Sequence, residues 1–238
     1  MKYLGIVAHF DDLELCCLPA IKQCYKNKDD QFYGLICTCN SDYHIRWKEQ
    51  VKAAKFGKYE AVHSFSYDSS ILKIDNQPKQ ELLKAQLLNS INTIKPDVIW
   101  THNPFDKHRT HQIISNYVIE AVRNRDPYKL YGFFGGEVWR DLDWISDYRK
   151  KRFVIDGFEK KALKLIKYFK SQLNKGRRFD EAFLGRLRAN ATFGKSGQED
   201  EARYVYHAMD LMPINSKSTK VNDYLKTFID ELKQDIFV

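Results

Sequence analysis

Ile6-Val7-Ala8-His9-Phe10-Asp11-Asp12 is an apolar run that ends in a histidine and two acids. Lys2 to Ala8 has the β-branched, continuously apolar character of a buried strand. A helical pattern begins straight afterwards. His9, Asp11 and Asp12 therefore sit where a strand hands over to a helix, the edge at which open α/β sheets bind ligands. His9 and Asp12 offer a nitrogen and an oxygen, separated by two residues on a tight turn, a mixture that zinc accepts. Asp11 lies between them, free to face a metal-bound water and take its proton. The same residues also suit a plain helix N-cap, with one aspartate capping and His9 an ordinary strand-end residue.

The flanking chain repeats the strand–helix alternation. A helix is expected over Asp12–Lys26, then a strand over Gln31–Cys39 and a loop at Asn40-Ser41-Asp42. Arg46–Gly57 reads as a helix closed by glycine, and Glu60–Phe65 as a short strand. Leu82, Leu83, Leu87, Leu88, Ile91 and Ile94 recur at helical spacing within Lys79–Lys95, which stops before Pro96. Asp97–Thr101 is a fourth strand, and His108–Arg123 a helix with Ile113, Ile114, Tyr117, Val118 and Val122 inward. Such alternation implies parallel βαβ units, hence an α/β Rossmann-like three-layer sandwich with a mostly parallel central sheet and its site at the C-terminal strand ends. If three strands wind one way and the fourth returns beside the first, the switch point falls between strands one and four.

That order sets His9–Asp12 beside whatever follows Thr101. The segment His102-Asn103-Pro104-Phe105-Asp106-Lys107-His108-Arg109-Thr110-His111 holds three histidines and an aspartate. His108 and His111 are three apart at a helix start and project to one side. Either one could complete a metal site while the other serves as a proton donor.

These residues carry a resemblance. Ala8-His9-Phe10-Asp11-Asp12 resembles the Ala-His-Pro-Asp-Asp signature of the PIG-L/LmbE-like family of zinc-dependent N-deacetylases, and Asp106-Lys-His108-Arg-Thr-His111 resembles its Asp-x-His-Pro-Asp-His motif. Arg46-Trp-Lys-Glu49, with Ala53-Ala54 and Phe56-Gly57, is similar to the helix between them. The likeness runs from about Lys2 to Arg123. It implies His9, Asp12 and His111 as ligands of one zinc per chain, with water in the open position. It implies Asp11 as general base, His108 as oxyanion stabiliser and proton donor, and Arg46 as a substrate contact. The implied reaction is hydrolysis of an N-acetyl group on an N-acetylglucosamine-type sugar. Iron could replace zinc in this donor set.

The chain also departs from the family pattern. Phe10 replaces a proline that would fix the turn. Leu13 stands where an acid is frequent, and Cys16-Cys17-Leu18-Pro19 replaces a glycine-rich segment. Arg109 and Thr110 replace Pro-Asp. Threonine cannot supply the charge that would hold the catalytic histidine in its protonated form, a part left for Asp106 to fill.

The 238 residues, 43% hydrophobic and 29% charged, suit one globular domain: a Rossmann-like core over 1–125 and substrate-side and C-terminal elements over 126–238. No apolar run approaches a membrane span and no cleavable leader is legible. Five cysteines, all between Cys16 and Cys39, make a poor disulfide framework and point to a reducing cytoplasm, with buried thiols favoured over a thiolate metal site. Arg149–Arg188 carries 14 Lys and Arg against four acids, net +10, more than the +8 of the whole chain. That belt suits an anionic group on the substrate or a solvated helix face.

Beyond Arg125 the rhythm weakens. Leu130–Phe134 reads as a strand ending at Gly135-Gly136. Glu137-Val-Trp139-Arg140-Asp-Leu-Asp143-Trp144 suits either a sugar site, with Trp139 stacking on the ring, or a core-flanking strand and loop. Gly157–Leu173 and Lys220–Lys233 read as amphipathic helices, and Pro213–Ser218 as a surface loop. Gly185–Thr192 is a candidate for bringing arginines, Arg186 first, towards the cleft. Asn103 and Asp106 join Arg46, Trp139 and Arg186 as substrate-side candidates. Two other functions fit the same frame: a zinc amidohydrolase on another small amide, and a non-catalytic nucleic-acid binder using the basic belt. No helix-turn-helix, zinc-finger or RRM signature supports the latter. A homo-oligomer is an open expectation, since some family members form rings.

Overall fold

In a computed structural model, which describes residues 1–39, 42–74, 78–193 and 200–237, the first half follows the expected alternation. Of the loop expected at Asn40-Ser41-Asp42, residues 40 and 41 lie outside the described residues, and Asp42 is the residue before the next helix. Strands β1 (Lys2–Val7), β2 (Gln31–Thr38), β3 (Ala61–Tyr67), β4 (Val98–His102) and β5 (Gly132–Gly136) are parallel. Helices α1 (Asp12–Cys16), α2 (Leu18–Lys26), α3 (Tyr43–Gly57), α4 (Pro78–Ile94) and α5 (Arg109–Asn124) connect them. Two further strands, β6 (Lys150–Val154) and β7 (Val205–Asp210), complete a seven-stranded sheet in the order β3-β2-β1-β4-β5-β7-β6. The direction of winding reverses between β1 and β4, so the switch point is where the alternation put it.

Alternation along β1 explains the two core layers. Leu4, Ile6 and Ala8 face one layer with Leu83, Leu87, Ile114 and Val118 from α4 and α5. Val7 faces the other with Leu13, Leu18 and Ile21 from α1 and α2. A parallel sheet covered on both faces requires such a continuously apolar strand. Leu13, in the place of a frequent acid, is fully buried. It fills a notch left by two glycines: a Cβ would stand 2.9 Å from it at Gly5 and 2.6 Å at Gly34. The glycines thus let α1 lie close on the sheet and bring Asp12 to the end of β1.

Departures from the periodic reading lie in both halves. The helix expected over Asp12–Lys26 breaks at Cys17 into α1 and α2, because Pro19 at the start of α2 has no N–H and its ring excludes the preceding turn. The helix expected over Gly157–Leu173 splits into α6 (Glu159–Ile166) and α7 (Lys170–Leu173). Phe169 leaves the helical region (φ −85°, ψ 56°) and is 1% exposed. Residues 179–192 form α8 (Phe179–Thr192), and Val221–Ile236 forms α9, which ends three residues beyond the expected Lys233. Ile214, expected in a surface loop, is buried in a 3-10 turn. Strands β6 and β7 were not legible: β6 is an edge strand whose lysines and arginine hide its pattern, as charges on an edge do. All five cysteines are buried free thiols. Among the described residues, no helix is long and apolar enough to cross a membrane.

Gly136, at the end of β5, is pressed against the first helix. An added Cβ would stand 2.9 Å from the Cys16 carbonyl oxygen and 3.0 Å from its Cα, and would meet the Tyr206 hydroxyl. Since backbone cannot swing aside, Gly136→Ala is expected to lower unfolding free energy by about 1–3 kcal/mol, read as a lower urea midpoint at constant slope.

His207, on β7, is 3% exposed, and neither ring nitrogen has a hydrogen-bond partner among the described residues. Burial, then Lys150 and Arg152, push its pKa down to about 4. A depressed histidine contributes stability that is present above its unfolded value near 6.5 and is lost as pH falls towards about 4. Between pH 7 and 4.5 the loss is about 2–3 kcal/mol. His207→Phe is expected to flatten that part of the stability–pH curve, checked by urea melts at both pH values.

Candidate functional site

The site gathers at the C-terminal ends of β1 and β4. After Val7 the chain passes through Ala8 and His9 and turns sharply at Asp11, which adopts φ 84°. That left-handed conformation is one a short acid tolerates better than most residues. Phe10 compensates for the missing proline by packing. It is fully buried, edge-on to Tyr43 and Trp47 of α3, with the Arg46 guanidinium 5.6 Å from its ring centre. Arg46 Nη2 donates to the Phe10 carbonyl and lies 3.3 Å from Asp11 Oδ1. The turn is therefore held from α3 rather than by a fixed φ.

Three donor atoms converge there. His9 Nδ1 lies 3.1 Å from Asp12 Oδ2, His111 Nε2 lies 3.4 Å from the same oxygen, and the two nitrogens are 3.3 Å apart. Ligand atoms on a tetrahedral zinc, with bonds of about 2.0–2.1 Å, stand about 3.3 Å from one another. The electrostatics agree. Burial opposes charge on Asp12, yet His111 and His102 hold its carboxyl well below the usual range. Burial opposes charge on His111 too, yet Asp12 and Asp106 raise it to about 10. The spot is built to hold positive charge, and the donor set fits a divalent cation.

Asp11 is not part of that triangle. Its carboxyl is pushed well above the usual range, first by burial and then by the Asp12 charge, against the pull of Arg46. His108 caps α5 and sits with its ring centre 4.5 Å from that of His111 and 5.1 Å from that of His9. Burial, then His111 and His9, lower it to about 4. Its Nδ1 and the Thr110 hydroxyl are buried without hydrogen-bond partners among the described residues. Asp106 does not take over from the absent acid: Oδ1 accepts the His108 backbone N–H at 2.8 Å, and Oδ2 lies 3.1 Å from His111 Nδ1. It braces His111 and leaves the His108 ring alone.

A cavity of about 280 Å³ opens over these groups, at the lower edge of small-molecule sites. His9, Asp11, Asp12, His108 and His111 form its floor, with Arg46 and Trp139 at its sides and Gln172, Lys175, Arg177 and Phe179 on the far wall. Glu49 positions that wall. Its carboxylate accepts the Ser171 N–H and hydroxyl at 2.8 and 2.7 Å, tying α3 to α7. Trp139 is 46% exposed, with its indole parallel (14°) to the His108 ring at 6.2 Å.

The other substrate-side candidates lie away from the opening. Asn103 and Asp106 are fully buried, and Asn103 Oδ1 accepts the Phe105 N–H at 2.9 Å. Arg186, on α8, directs its guanidinium at the Val138 and Trp139 carbonyls, so it holds the loop that carries Trp139. Within Glu137–Trp144, Val138 and Trp139 reach the cavity. Glu137 knots the loop, accepting from Leu142 N, Trp144 Nε1 and Arg140 Nε. Lys175 and Arg177 fall inside the basic belt, but nothing local separates them from its solvated lysines.

The sequence profile of the family described as "PIG-L: GlcNAc-PI de-N-acetylase" matches residues 4–122, the stretch that contains every floor residue. The chain belongs to the PIG-L family. The PIG-L match ends within α5, so the far wall of the cavity lies outside it. Similar folds recur among solved structures. A conserved protein from Thermus thermophilus has 17% identity and a TM-score of 0.70, covering 89% of this chain and 94% of that one. The N,N'-diacetylchitobiose deacetylase from Pyrococcus horikoshii has 17% identity and a TM-score of 0.67, covering 90% and 84%. GalB, the 4-carboxy-2-hydroxymuconate hydratase from Pseudomonas putida, has 13% identity and a TM-score of 0.68, covering 90% and 97%. At such identities the likeness shows the fold. No curated protein sequence matches significantly.

Proposed function

We propose that this PIG-L chain is a metal-dependent N-deacetylase that hydrolyses the acetamide of an N-acetylglucosamine-type sugar, with zinc as the first candidate metal and iron as the second. The observation that carries the reading is the His9–Asp12–His111 triangle, 3.1–3.4 Å on its edges, with Asp11 beside it and outside it. A divalent cation bound there supplies Lewis acidity, making a water acidic enough to give up a proton and polarising the acetyl oxygen.

The chain's own groups do the rest. Asp11, with its raised pKa, takes the proton from the attacking water as the C–O bond forms. It returns that proton to the sugar nitrogen as the C–N bond breaks, releasing acetate and the free amine. His108 is neutral and lines the cavity, where its ring N–H donates a hydrogen bond to the oxygen that gains charge. Arg46 holds Asp11 in place, and Trp139 offers a flat face to a sugar ring. The N,N'-diacetylchitobiose deacetylase from Pyrococcus horikoshii supports this reading by its fold and its activity on an acetylated sugar. The hydratase from Pseudomonas putida has a similar frame, so fold alone does not choose the reaction. Metal analysis together with acetate release over a panel of N-acetyl sugars tests the proposal. One equivalent of metal and acetate release support it. A metal-free protein that releases no acetate overturns it, and release only from non-sugar amides moves it to the amidohydrolase alternative.

Lys175 and Arg177 favour an anionic group on the sugar's substituent. Lys175 is shared with Asp42 at 3.6 Å, whereas Arg177, among the described residues, faces the neutral Gln172 side chain at 3.4 Å and the Phe179 ring. Arg177→Ala is expected to raise KM about tenfold for a carboxylated or phosphorylated substrate, with kcat and neutral substrates unchanged.

A further inference from the structure

His111 is the member of the donor triangle that comes from the second strand end, and its ring has two torsions to settle before Nε2 faces His9 and Asp12. Asp106 settles one. Its Oδ2 engages Nδ1 at 3.1 Å, which leaves Nε2 as the free nitrogen. The tilt of the ring plane is settled by His102, the last residue of β4. The two imidazoles are parallel within 11°, with centres 3.8 Å apart. His9 and His108 meet His111 at 50° and 48° and so fix no plane.

His102 is itself fixed at both nitrogens. It is fully buried. Nε2 accepts the Ala8 N–H at 2.8 Å, so the ring proton resides on Nδ1, which faces Cys16 Sγ at 3.3 Å. His102 lies close enough to Asp12, 3.4 Å from its Oδ2, and to His111 to share an ion with them, but the acceptor role towards Ala8 occupies its Nε2. Cys16 is anchored in turn. Its carbonyl accepts the Tyr206 hydroxyl at 2.9 Å, and its backbone lies against Gly136. Sulfur at this position stands where the family resemblance has glycine-rich chain, so the thiol contact belongs to this sequence.

We propose that His102 is a positioning residue for the metal centre: a neutral Nδ1–H imidazole, clamped between the Ala8 amide and the Cys16 thiol, that sets the plane of His111. The inference rests on the metal site proposed above. Ring-orienting partners behind metal ligands alter affinity by roughly 10–100-fold.

The test is zinc affinity, measured by competition with a chromophoric chelator. His102→Asn removes the ring and is expected to weaken zinc binding about tenfold or more, whereas His102→Phe restores a flat face and recovers part of the loss. Cys16→Ala spares the ring but frees its Nδ1 edge, and is expected to weaken zinc about threefold to tenfold. Nitrogen-15 imidazole spectra of the native protein are expected to place the His102 proton on Nδ1. A role in packing alone lowers the melting temperature and leaves the zinc constant within twofold. That outcome in folded His102→Asn and Cys16→Ala overturns the proposal, as does a native His102 proton on Nε2. If His102→Asn does not fold, Cys16→Ala and the native spectrum decide. Native protein that binds no zinc removes the metal site and this inference together. Native binding with unchanged variants removes only this inference.

Discussion

Asp11→Asn is expected to keep its metal and lose acetate release by about 10²–10⁴-fold in kcat, the usual share of a positioned general base. The asparagine is isosteric and keeps the carbonyl oxygen that faces Arg46 Nη2 at 3.3 Å, so the left-handed turn at Asp11 survives. Asp11 is outside the triangle of ligand atoms, which fixes the direction of the metal result. What disappears is a base whose pKa is raised by burial and by Asp12, and an amide cannot accept the water's proton. Metal content and kcat, measured on one preparation, check the expectation. Near-native turnover removes Asp11 from the mechanism, whereas loss of the metal places it among the ligands.

His111→Ala is expected to act on both binding and stability. It removes one of three protein donors, and metal affinity falls at least about a hundredfold if each ligand contributes about 3 kcal/mol. It also strips the metal-free protein of the cation that sits 3.4 Å from Asp12 Oδ2 and 3.1 Å from Asp106 Oδ2. Both carboxylates are buried, Asp12 at 4% and Asp106 at 0% exposure. Breaking such a pair by removing one partner destabilises by about 3–5 kcal/mol. Chelator competition reads the first effect and urea unfolding in EDTA the second. A His111→Ala protein that holds zinc at native affinity ends the three-ligand site.

The strand-end motif, the parallel frame and the place where its winding reverses are all legible in the chain. Each depends on residues close in sequence: apolar runs, helical spacing, and a histidine and acids at the end of a run. The convergence of His9 and Asp12 with His111 follows from the strand order, because parallel neighbours end on the same edge. The tertiary structure alone decided how those side chains are held. Asp106 chose His111 over His108, and His102 became the flat support of His111 instead of an idle neighbour. Leu13 acquired its purpose from Gly5 and Gly34, and Lys175 and Arg177 gained theirs from the Glu49 tie to α7. A ring's plane or a carboxylate's partner depends on atoms that packing brings together from distant stretches, and no local pattern records that choice. The strands β6 and β7 stayed hidden for a related reason: one is an edge masked by charge, and both find their pairing in the sheet, not in their own spacing.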